Sequence, residues 1–138
     1  MDFIRRVDTR IEELGGFLFN KKLKNKKAAT LELFGKYAVF IDTSKMKNKG
    51  EEFLAKIHEY GHCKTGCTHQ LNTPYQLIGQ HETRANRAAV HEFLPYDMLM
   101  KAVDKGNKEP WELADALGLP EKFVRMAVET YKVEGKLN

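Results

Sequence analysis

Cysteine and proline are scarce in this sequence of 138 residues, which holds two of the former and four of the latter. So few cysteines exclude a disulfide-built scaffold, and reduced thiols are expected. The low proline content, with 42% hydrophobic and 30% charged residues, excludes disordered and fibrous chains. Also absent is any apolar run near the roughly 20 residues that cross a bilayer. Met1 to Arg10 lacks the apolar core of a secretory signal, so no membrane association and a cytoplasmic location are expected. A chain of this length can bury one real core. Residues 1–138 are therefore expected to form a single domain, with a helical C-terminal part over about 96–138.

Charge is unevenly spread around the net +4. Residues 1–70 hold fourteen Lys/Arg against nine Asp/Glu, whereas residues 71–138 hold nine against ten. Much of the excess is the run Lys21, Lys22, Lys24, Lys26 and Lys27, which reads as a solvated loop. The same run is a conceivable contact for nucleic acid or an acidic partner.

Hydrophobic spacing changes along the chain. Phe3, Ile4, Val7, Ile11 and Leu14 recur at three and four, which predicts a helix over 2–14 ended by Gly15-Gly16. Residues 17–27 read as loop or a short helical turn. Alternation of Leu31 and Leu33, then of Tyr37, Val39 and Ile41, predicts antiparallel strands near 29–34 and 37–42, joined by a tight turn at Gly35-Lys36. Acidic Glu51 and Glu52, with Phe53, Leu54, Ile57 and Tyr60, predict a helix from 51 to about 64, closed by Gly66. After a loop at Cys67–Thr73, Pro74 opens a helix that Pro95 must stop. Further helices are expected after Pro95, over 111–117, and from Glu121 to about Tyr131.

The chemistry concentrates in His58-Glu59-Tyr60-Gly61-His62. Two imidazoles four residues apart on a helix point the same way and can grip one Zn²⁺, while Glu59 between them serves as general base for an attacking water. A catalytic zinc site wants three protein ligands and an open position. The third must come from elsewhere. Glu82 is the strongest candidate, because Glu82, Ala85, Asn86 and Ala89 share one helical face whose small residues allow close approach to the histidine helix. His69, His81, Cys63 and Cys67 remain rivals, although the two cysteines read first as free thiols. His91 reads as no ligand.

The box His58–His62, followed by Glu82-Thr83-Arg84-Ala85-Asn86 and an apolar helix ending at Leu94-Pro95, resembles the ImmA/IrrE family of zinc metallopeptidases. The resemblance runs from about Ala38 to Lys101. It implies His58, His62 and Glu82 as zinc ligands, Glu59 as catalytic base, and a supporting role for Asn86. It also implies an α+β, zincin-like fold, mainly helical, with a small antiparallel sheet packed on the zinc helix and an edge strand, at 37–42, that binds substrate. The substrate it implies is a helix-turn-helix repressor of a mobile element, prophage or stress regulon.

A rival function comes from Trp111 to Tyr131, whose helix, glycine turn and helix have the rhythm of a helix-turn-helix. The second of these helices carries only Lys122, Arg125 and Lys132 against Glu121, Glu129 and Glu134, so direct nucleic-acid binding is not expected. The alternative is a DNA-binding or partner-binding regulator whose zinc site is structural or vestigial.

Overall fold

The computed structural model describes residues 3–66 and 75–137, and for Leu33 and residues 75–78 the backbone alone. The loop expected at Cys67–Thr73 and the helix start expected at Pro74 lie outside the described residues. Packing divides the chain into two compact units, Met1–Ala88 and Ala89–Asn138. The described residues form an α+β structure of six α-helices and a three-stranded sheet.

In the first unit, α1 (Phe3–Glu13) forms where its apolar spacing predicts and buries Val7 and Ile11 completely. Each such side chain contributes about 1.5–3 kcal/mol relative to exposure. The strands are β1 (Gly16–Asn20), β2 (Ala28–Leu33) and β3 (Lys36–Ile41), in the order β1-β3-β2. The hairpin β2–β3 is antiparallel as expected, but β1 joins the other side of β3 in parallel. The sheet is therefore mixed, and residues 16–20 are a strand rather than loop. A five-residue strand with Phe17 and Phe19 both on its open side carries no inward apolar alternation, and its partner lies about twenty residues away, so no local pattern announces it. The hairpin turns on Phe34 and Gly35, with φ of 53° and 77°, one residue earlier than expected. Two successive positive φ values mark the type I′ turn that matches strand twist.

Asp42 closes the sheet's end and ties down the lysine-rich loop. It is only 2% exposed. Its carboxylate accepts from the Leu23 N–H at 2.9 Å, the Ser44 N–H at 3.1 Å and the Ser44 hydroxyl at 2.5 Å. Lys45 Nζ lies 3.7 Å from it and donates to the carbonyls of Leu23 and Lys26. The Ser44 hydroxyl, then the Leu23 N–H, hold the Asp42 carboxyl below its ordinary pKa of 3.8, outweighing burial. A depressed carboxyl pKa stabilises the fold above 3.8, and that stability is lost as pH falls through the folded-state value. Asp42→Asn is expected to lower the melting temperature at neutral pH and to flatten its fall below pH 3.8. Thermal melts at stepped pH check this, and parallel curves for the two proteins would refute it.

Next comes α2 (Lys49–Thr65), reached through a short 3₁₀ turn at Thr43–Lys45. Asn48 caps it by accepting from the Glu51 N–H at 2.9 Å, and Gly66 ends it at φ 69°, as the glycine predicts. Lys56 is buried on this helix between Asp8 at 2.8 Å and Glu52 at 3.0 Å. Burial works to lower the Lys56 pKa, and the two carboxylates outweigh it, so the ammonium stays charged.

Helix α3 (Tyr75–Phe93) begins in the first unit and ends in the second. The second unit continues with α4 (Tyr96–Asp104), α5 (Pro110–Leu117) and α6 (Glu121–Val133). Its core contains Phe93, Leu94, Leu99, Phe123, Val124 and Tyr131. The Tyr131 hydroxyl donates to the Leu94 carbonyl at 2.8 Å, and burial, then Glu134 and Asp97, push its pKa up to about 12. Gly118, at φ 69°, makes the turn between α5 and α6. On α6, Arg125 pairs with Glu121 at 2.8 Å. No helix among the described residues is long and apolar enough to cross a membrane.

Candidate metal centre

The site is assembled from three elements of the first unit: α2, the first part of α3, and β2. A spacing of four sets His58 and His62 one turn apart on α2, with ring centroids 4.7 Å apart and planes nearly perpendicular. Their Nε2 atoms are 3.1 Å apart. From α3, Glu82 reaches both: Oε2 lies 2.5 Å from His58 Nε2, and Oε1 lies 3.3 Å from His62 Nε2. The three side chains bring one ligand atom each within 4.8 Å of one another, a group that could hold a metal ion.

The donor set fits such an ion. Bonds of about 2.0–2.1 Å at tetrahedral angles separate donor atoms by about 3.3 Å. The His58–His62 and His62–Glu82 separations of 3.1 and 3.3 Å match that figure, and the His58–Glu82 pair needs only a small opening. Asn86 Oδ1 lies 3.0 Å from His58 Nδ1, so Nδ1 donates to the amide oxygen and the Nε2 lone pair is left facing the site.

Glu59 points into the same space. Buried on α2, it accepts a hydrogen bond from the Thr30 hydroxyl of β2 at 2.7 Å. A cleft of about 250 Å³ opens over these groups, lined by Ala28, Thr30, Leu31, His58, Glu59 and Glu82 among others, with Lys26 at its rim.

Among the rivals for third ligand, neither His81 nor Cys63 belongs to the group. The Cys63 thiol is buried, and burial, then the nearby Glu59 charge, push its pKa up to about 12. Cys67 and His69 lie outside the described residues.

Two residues matter to the site that no motif flags. Thr30 holds Glu59, and its identity in an ordinary strand gives no sign of that. Gly61 does carry a signal, since glycine inside a helix costs about 1 kcal/mol relative to alanine and calls for a reason. The reason is contact: a Cβ on Gly61 would sit 2.0 Å from the Ala85 carbonyl oxygen. Here α2 and α3 touch backbone to backbone, one residue from His62 and three from Glu82.

The edge strand at the cleft is β2. The expected edge, 37–42, is instead the central strand β3, paired on both sides because β1 takes its second edge.

Fold and site together define an α+β chain with a His/His/Glu centre competent to hold a metal. Compared with known proteins, the chain matches no family model, no curated protein and no solved structure.

Proposed function

We propose that this chain is a zinc-dependent metallo-endopeptidase of zincin-like construction, akin to the ImmA/IrrE peptidases, whose substrate is a helix-turn-helix repressor. The observation that carries this reading is the position of Glu59, which stands between the two histidines with its carboxylate in the cleft that the His58, His62 and Glu82 donors share. A site that only stored or structurally fixed a metal has no need of a buried, uncoordinated carboxylate beside three ligands.

Zinc bound by His58, His62 and Glu82 supplies Lewis-acid polarisation and brings a water's pKa toward neutrality. Glu59 takes a proton from the attacking water and passes it to the leaving amine. Thr30 holds the carboxylate in place for both transfers. Asn86 keeps His58 in the tautomer that presents Nε2.

An extended peptide has a natural seat on β2. The Asp42 N–H donates to the Lys27 carbonyl at 2.8 Å, and bonded pairs alternate along an antiparallel ladder. The backbone groups of Ala28, Thr30 and Glu32 therefore point away from β3 and can pair with an added strand across the cleft.

The test is direct. The zinc-loaded chain is expected to cleave a helix-turn-helix repressor encoded beside it, to stop when a chelator removes the metal, and to resume when zinc is returned. No cleavage of that repressor or of an unfolded protein substrate would sink the reading. Removal of the third ligand gives a second check. Glu82→Ala is expected to weaken zinc binding by about 10–100-fold or more, the scale of changes in a ligand shell. Competition against a chromogenic chelator measures it, and wild-type affinity would mean that another side chain completes the shell.

A further inference from the structure

One face of the sheet is unused by this chemistry. Val39 and Ile41 are buried on the side of the sheet that also carries Thr30 toward α2, whereas the opposite side carries Phe17 and Phe19 from β1, Phe40 from β3 and, from the edge strand β2, Leu31, which also borders the cleft. Phe17, Phe19 and Leu31 are 51%, 48% and 49% exposed. Register sets them side by side: Phe19 opposite Phe40, and Phe17 and Leu31 on either side of Ala38. The face is also positive. Lys36 Nζ lies 5.8 Å from the Phe17 ring centre and Lys21 Nζ 5.9 Å from that of Phe40, and no strand residue on this side is acidic. Parallel strand pairs are almost always covered on both faces. The β1–β3 pair is parallel, and its outer face is half open.

We infer that this face docks an amphipathic α-helix with acidic flanks, presented by a partner protein. Three strands span about 10 Å, the width of one helix. Lys36 precedes the first β1–β3 register pair and Lys21 follows the last, so the two ammonium groups bracket the apolar strip end to end. That length is about 16 Å, or three helical turns. An apolar stripe on the partner covers the phenylalanines and Leu31, while its carboxylates meet the lysines. At the hairpin tip Phe34 is fully exposed and held at φ 53°, an unfavourable conformation for a side chain of its kind, which adds an aromatic anchor beside the strip. A second copy of this chain is a poor occupant, because lysine would face lysine. Single-stranded nucleic acid is a poorer one than a helix: Phe19 and Phe40 stack on each other at 5.4 Å, and the lysines sit over Phe17 and Phe40, so few ring planes are free for bases.

The inference is independent of peptidase activity, and its test is read by binding alone. The full chain is titrated against a fluorescein-labelled helical peptide carrying leucine at i, i+3, i+4 and i+7 with glutamate elsewhere. The comparison probes are the same peptide with lysine for glutamate, phosphatidylserine–phosphatidylcholine vesicles and oligo(dT). Saturable binding of the acidic peptide is expected, weakened about ten-fold or more both by Lys21→Glu with Lys36→Glu and by Phe17→Ser with Phe19→Ser. Zinc content is expected to stay unchanged in both double variants. Circular dichroism checks the fold, and the lysine pair, being wholly superficial, decides the matter if the serine pair unfolds. The inference is overturned by absent saturation, by undiminished binding in the lysine variant, or by equal affinity for the lysine peptide. It is likewise overturned if vesicles or oligo(dT) bind through these residues and the acidic peptide does not displace them.

Discussion

Replacing Glu59 by glutamine is expected to lower peptide hydrolysis by about 10²–10⁴-fold, the range attributable to a positioned general base, while leaving zinc content and melting temperature near wild type. The substitution keeps the shape of the side chain and an oxygen that can still accept from the Thr30 hydroxyl, now at 2.7 Å. What it removes is the ability to take a proton. Because Glu59 is buried, the neutral amide also avoids the cost of a charge out of water, so the fold has no reason to weaken. Turnover of a repressor substrate at matched zinc occupancy measures the effect. A rate equal to wild type would remove Glu59 from the mechanism and leave the His/His/Glu centre as a metal site without a base.

The second large effect falls on the fold, at Gly61. Alanine in place of glycine inside a helix ordinarily stabilises by roughly 0.5–1 kcal/mol. Here the opposite sign is expected. The new Cβ would lie 2.0 Å from the Ala85 oxygen, 2.5 Å from its carbonyl carbon and 2.7 Å from its Cα, all of them backbone atoms that cannot rotate aside. Relief requires α2 and α3 to separate, at an overpacking cost of about 1–3 kcal/mol. The same separation carries Glu82 away from the histidines. Gly61→Ala is therefore expected to melt earlier and to bind zinc at least about ten-fold more weakly, a loss comparable to that from a damaged ligand shell. Calorimetry and chelator competition read the two effects independently. A raised melting temperature would show that the helices are not in backbone contact there.

These two residues illustrate how differently parts of the site are written into the chain. His58, Glu59 and His62 stand within five residues on one helix, where local geometry alone fixes which side chains share a face. Glu82 needed more, because its face of small residues indicates close packing without saying against what. The structure brings it to within 2.5 and 3.3 Å of the two histidine nitrogens. Thr30 lies twenty-nine positions before Glu59, and no periodicity in β2 could reveal that its hydroxyl meets that carboxylate. Strand β1 was hidden for a related reason. Its pairing is long-range and parallel, and both its phenylalanines point outward, so its sequence resembles a loop with stray aromatics. With β1 unseen, β3 looks like an edge strand. Once β1 is in place, β3 is central and the free edge at the cleft belongs to β2.

What the sequence determined by itself is whatever depends on neighbours within a turn or two of helix. That covers the helices and their glycine and proline stops, the β2–β3 hairpin, and the histidine pair with its intervening glutamate. Only the tertiary structure decided the strand order, the edge that borders the cleft, the partner that holds Glu59, and the contact of Gly61 with Ala85. Periodicity reports which residues face inward, because burial repeats with the backbone. It carries no information about which inward face meets which, and that is settled by packing between segments far apart in the chain.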